Sequence, residues 1–135
     1  MVKVTTLSEK DIEAIGTAFA DYSYATSSLA NGEKGMALFY KSRNDVKEYI
    51  CGYVRAMLAA GCLYSTSEKH EAFIAYRYSK DNLPLSAGMI LMKYIFKTMG
   101  FGGAVRMLKY ISKGGESYET AVKKSKKPYI FVGLV

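Results

Sequence analysis

The feature that most constrains the fold is the run Pro128-Tyr-Ile-Phe-Val-Gly-Leu-Val135, which follows directly on Lys123, Lys124, Lys126 and Lys127. β-Branched and aromatic side chains fit a pleated surface. A short apolar run without polar alternation predicts a strand covered on both faces, in mid-sheet. Such a strand needs hydrogen-bonding partners on both sides, so either its neighbours all precede it or the sequence is a piece of a longer chain. Gly133 interrupts the run, and a glycine inside a strand marks a bulge or a place where a ligand or another backbone comes close.

The preceding residues supply neighbours for it. Val2 to Thr6 alternates apolar and polar residues, predicting a first strand. Ser8-Glu-Lys-Asp11 then sets a hydroxyl at the N-cap with a carboxylate three residues on, which starts a helix. Ile12, Ile15, Phe19 and Tyr22 recur at helical spacing and predict an inward face up to about Asp21. Between Tyr22 and Ser42, the residues Ser27, Ser28, Asn31, Gly32 and Gly35 predict a long mobile loop. Its aromatic residues Tyr22, Tyr24, Phe39 and Tyr40 either line a pocket for a small ligand or tack the loop to the core.

A second helix is predicted from about Asn44 to Ala60, with Val46, Ile50, Tyr53 and Met57 on one stripe and Gly61 as its stop. Cys62–Ser67 and Ala72–Tyr78 flank the polar Glu68-Lys-His-Glu71, which predicts a β-hairpin with His70 on its turn.

Asn82 to Ser112 is apolar and rich in methionine, opened by Pro84 and cut by Gly100, Gly102 and Gly103, so it predicts two helices. With the residues after it, this stretch forms a helical insertion at about 83–125. Lys93 and Lys97 deny it the uncharged run of a spanning helix. A helix laid on the sheet, or serving as a lid, is the preferred reading. A membrane-surface helix is the alternative, because basic residues beside Met, Leu and Phe suit an interface. Gly100-Phe-Gly-Gly103 follows a helical pattern and lacks a Gly-Lys-Ser/Thr ending, so it reads as a helix break and not as a phosphate loop.

Half the 135 residues are apolar and under a quarter are charged, which fits one globular domain. The net charge of +7 favours acidic partners in general. No nucleic-acid recognition motif is present, and Lys93 and Lys97 interrupt the apolar helix, so neither nucleic acid nor a membrane is the expected partner. The N-terminus has no apolar h-region, and the expected compartment is the cytoplasm. Cys51, Cys62 and the lone His70 make neither a disulfide framework nor a metal site, so the cysteines read as packing residues.

The order strand, helix, long loop, helix, hairpin, helical insertion and apolar strand with Gly133 resembles the first half of a GNAT N-acetyltransferase. Ala60-Gly-Cys-Leu-Tyr64 is similar to that family's approach to its second strand, and Phe73-Ile-Ala-Tyr76 to its third. Pro128 to Val135 is similar to its fourth. The resemblance implies an α+β fold with a mixed, mostly antiparallel sheet and flanking helices. It also implies direct transfer of acetyl from acetyl-CoA to a small-molecule or peptide amine, without a metal. Val132, Gly133, Leu134 and Val135 match the part of the fourth strand whose backbone pairs with the pantetheine arm. Tyr22, Tyr24, Phe39 and Tyr40 fall in the acceptor-side region, and the resemblance names no catalytic acid or base. The family's Gln/Arg-x-x-Gly-x-Gly/Ala signature, which grips the pyrophosphate, does not occur after the fourth strand here. The chain is therefore expected to be an N-terminal fragment, inactive alone. Two other readings stand beside this one: a non-enzymatic module that forms a homo-oligomer or domain swap through its last strand, and a basic binder of nucleic acid or membrane surface.

Overall fold

The elements follow one another as β1 (Val2–Lys3), α1 (Glu9–Ser27), α2 (Arg43–Ala60), β2 (Leu63–Ser65), β3 (Phe73–Tyr78), α3 (Leu85–Lys113) and β4 (Ile130–Leu134). They belong to a computed structural model that describes residues 1–27, 40, 42–78, 80–113, 124–128 and 130–134. The strands form one antiparallel sheet in the order β1-β2-β3-β4, and the class is mixed α+β.

Helix α1 starts where its capping signal predicts, with the Asp11 N–H donating to Ser8 Oγ at 3.1 Å. It does not stop at Asp21 but runs on to Ser27. Tyr22-Ser-Tyr-Ala-Thr-Ser27 holds no Gly or Pro, and residues of middling propensity extend a helix once its nucleus exists. The loop expected over 22–42 is corrected accordingly: Tyr22 and Tyr24 are helical. Residues 28–39, including Phe39, lie outside the described residues, as does 41. The inward face is also rotated from the expected one. Ile12 and Ala20 are buried, Ile15 and Phe19 lie at the margin, and Tyr22 is exposed.

Helix α2 is capped by Ser42 instead of Asn44, its Oγ accepting the Asp45 N–H at 3.2 Å. Gly61 ends it in the left-handed region at φ 66°, with its own N–H donating to Leu58 O and the next N–H, of Cys62, donating to Met57 O, both at 3.0 Å. Arg55 pairs with Glu9 and Arg43 with Asp21, so α1 and α2 run antiparallel. Such exposed pairs add little stability. The core holds the fold, with Ile12 and Ala20 of α1 and Val46, Ile50, Val54 and Met57 of α2 packed with Leu63 and Ala75 of the sheet. Each fully buried aliphatic side chain there contributes about 1.5–3 kcal/mol.

Two expectations about the later chain are corrected. Helix α3 packs against α2 and not on the sheet, burying Ala87 and Met99 with Ile90, Leu91 and Ile95 half-buried around them. It is two helices joined at a kink, as the glycines predict. Gly100 is non-helical at φ 66° and ψ 177°, a region that essentially only glycine occupies. The part of the expected helical insertion from 114 to 123 lies outside the described residues.

Strand β4 is not in mid-sheet. Among the described residues it pairs only with β3, and Ile130 and Val132 are half-exposed. Its apolar run lacks polar alternation for a different reason. Val132 stands opposite Tyr76, and Ile130 opposite Tyr78. Tyr76 in turn stacks on Tyr64 at 4.3 Å. These residues make an apolar face on the side of the sheet away from buried Leu63 and Ala75, where no described residue forms a covering layer.

Candidate functional site

Two features adjoin β3, one opposite its middle and one at its start. The first is a bulge. Ala75 stands opposite Leu134, yet the next residue, Tyr76, stands opposite Val132, so Gly133 is an extra residue on β4 with no partner on β3. A bulge kinks the strand and frees a peptide from the ladder, and the missing side chain lets another group approach it.

The second is a cleft of about 650 Å³ between α1 and the start of β3, lined by Ile15, Phe19, Tyr22, Glu71, Ala72 and Phe73 among others. Phe73 precedes Ala75 by two residues, roughly 7 Å along a strand, so the cleft lies at the start of β3 and the bulge opposite its middle. The lining is mostly apolar, with Tyr22 and Glu71 as the lining residues that carry polar side chains. Ser67 Oγ donates to Glu71 Oε2 at 3.1 Å, tying the carboxylate to the β2–β3 turn. The same Ser67 closes that turn, its carbonyl accepting the His70 N–H at 3.1 Å and its Oγ the Lys69 N–H at 3.2 Å. An apolar cleft with one carboxylate can hold a cation that carries an apolar body.

Of the residues singled out from the sequence, Tyr22 lines the cleft. Gly133 is the bulge residue, with Val132 and Leu134 on either side. Tyr24 belongs to the last turn of α1, while Phe39 and Val135 lie outside the described residues. Tyr40 is a core residue: its ring lies 5.6 Å from that of Tyr49 and its hydroxyl has no hydrogen-bond partner among the described residues. Burial, then Tyr49 and Asp45, pushes that hydroxyl far above the ordinary tyrosine range. Glu71 was missed because it reads as one more polar turn residue. Its signal was position, since it directly precedes the apolar Ala72-Phe73.

The thiols are packing groups. Cys51 Sγ donates to Ile12 O and Cys62 Sγ to Ala60 O, each at 3.5 Å, and burial pushes both thiols up, away from the reactive thiolate. Among the described residues no cluster of His, Cys, Asp and Glu is arranged to hold a metal, and no helix is long and apolar enough to cross a membrane. Comparison with protein-family models, curated proteins and solved structures finds no match for this chain.

Proposed function

We propose that the chain carries the acceptor side of a GNAT-type N-acyltransferase, in which acetyl passes from acetyl-CoA to an amine. The observation that carries this reading is that the Gly133 bulge and the Glu71 cleft both adjoin the one strand β3, the bulge opposite its middle and the cleft at its start. An amine is an ammonium cation in water, and Glu71 would hold it while Ile15, Phe19 and Phe73 receive its apolar body. In the transfer the ammonium first gives one proton to water, the free amine then forms the nitrogen–carbon bond as the carbon–sulfur bond breaks, and the departing thiolate takes up the second proton that the nitrogen sheds. The work of the protein is to position the reactants and to polarise the carbonyl. The peptide at Gly133, shifted out of register with β3, is suited to that second task. These residues fit the acyl end of acetyl-CoA only, because the pyrophosphate signature is not among the 135. The unpaired thiols suit a reducing compartment such as the cytoplasm.

Reading the codons that follow Val135 in frame is the first test. A Gln/Arg-x-x-Gly-x-Gly/Ala signature directly after the strand would support the proposal, and a stop codon would sink it. On the 135 residues themselves, acetyl-CoA should bind weakly at best, with any amide shifts centred on Val132 to Leu134. Micromolar binding elsewhere on the chain would contradict the reading. The edge of β4 that has no partner among the described residues favours a second reading, a module that self-associates by pairing β4 with β4 of another copy. Concentration-dependent dimerisation abolished by Val132→Pro would support it.

A further inference from the structure

Helix α3 turns an apolar stripe away from the protein. Leu85, Met89, Met92 and Phe96 recur at intervals of four, three and four residues, which sets them on one line of a helix. They are 45 to 81 % exposed, while Ala87, Leu91 and Tyr94, on the far side of the same turns, face α2. The kink prolongs the stripe. Beyond non-helical Gly100, the ring of Phe101 stacks on that of Phe96 with centroids 6.5 Å apart and planes 7° from parallel, and Phe101 is 75 % exposed. Five large apolar side chains in one line are a patch with a purpose, unlike scattered surface hydrophobes.

Charge decides what the stripe meets. No Asp or Glu occurs between Asp81 and Glu116, whereas α3 carries Lys93, Lys97, Arg106, Lys109 and Lys113. Lys93 and Lys97 each follow a stripe residue by one position, so they share one flank of it. Both lie over the Tyr94 ring, at 5.8 and 5.4 Å, and Lys97 also reaches Glu48 of α2 at 3.2 Å. A second copy docking stripe to stripe would set these cations against one another. A negatively charged surface would be complementary along the whole helix.

We propose that α3 is an interfacial helix that lays the protein on an anionic lipid bilayer. Leu85, Met89, Met92, Phe96 and Phe101 enter the acyl boundary while Lys93 and Lys97 reach up to the headgroups. The proposal stands independently of the acyltransferase reading, because it uses none of the residues of the cleft or the bulge.

Co-sedimentation of the full 135-residue chain with vesicles tests it. Binding is expected to vesicles of phosphatidylcholine and phosphatidylglycerol in equal parts, and to be weaker by about tenfold on phosphatidylcholine alone or in high salt. Phe96→Ser with Phe101→Ser should weaken binding to the mixed vesicles by about tenfold or more. Both side chains are exposed, so the thermal unfolding midpoint should hold. Met92→Ser with Lys93→Glu is a second, independent test with the same expected loss. Equal binding to both vesicle types, no binding to either, or no effect of the variants would overturn the proposal. So would a vesicle-free dimer that Phe96→Ser with Phe101→Ser dissolves, which would make the stripe a protein interface.

Discussion

Gly52 of α2 lies so close under Tyr94 of α3 that a Cβ at position 52 would stand 2.1 Å from Tyr94 Cγ and 2.5 Å from its Cβ. Turning the ring cannot relieve a clash with Tyr94's own Cβ, so the helices would have to separate. Gly52→Ala should destabilise the protein by about 1–3 kcal/mol. Urea unfolding would show this as a lower midpoint, part of which Tyr94→Ala restores in the double variant. An unchanged midpoint would mean that α2 and α3 are not in contact there.

Tyr40 offers a gain in stability. Its buried hydroxyl has no partner among the described residues, so Tyr40→Phe should be neutral or stabilising by up to about 1 kcal/mol. The same burial governs alkaline behaviour. Tyr40, Tyr49 and Tyr53 all have hydroxyls pushed up by burial, so the folded chain keeps protons that the unfolded chain loses near pH 10. Their contribution is therefore complete below about pH 10 and declines as pH rises beyond it. Unfolding midpoints measured as pH rises past that value should fall less steeply in Tyr40→Phe than in the parent.

The two candidate caps of α2 can be told apart. Ser42→Ala should cost about 1 kcal/mol, and Asn44→Ala, inside the first turn, should cost less. A larger loss for Asn44→Ala than for Ser42→Ala in thermal unfolding would return the cap to Asn44.

Under the acyltransferase reading, the active polypeptide should respond differently at its two candidate positions. Glu71→Gln should raise KM for the amine several-fold with kcat largely kept, the mark of lost ground-state binding. Gly133→Val should instead cut kcat/KM by about a hundredfold, by displacing the carbonyl from its donor. Steady-state assay of thiol release separates the two effects.

Local signals located most of the elements. The Ser8 cap, the Gly61 stop and the polar turn between Ser67 and Ala72 each act within a few residues, and each stands where it was expected. Gly133 at a bulge was likewise a one-residue inference. What misled was the partner of each apolar face. The run from Ile130 to Leu134 reads alike whether it is buried between two layers or set at an open edge. The stripe of α3 reads alike whether it lies on a sheet or faces outward. Periodicity shows that a face exists, while its cover is a tertiary fact. The cleft was half legible: Tyr22 stood out as an aromatic residue, whereas Glu71 became notable only once α1 was seen beside it.

The sheet is ordered as the chain is, β1-β2-β3-β4, so after the β2–β3 hairpin forms, each remaining strand adds at an outer edge. A ribosome releases the N-terminal residues first, and α1, α2 and the hairpin can settle while the lysine-rich segment is still being made. When β4 emerges, the edge of β3 already awaits it. The apolar run of β4 thus meets a ready-made partner edge when it is synthesised.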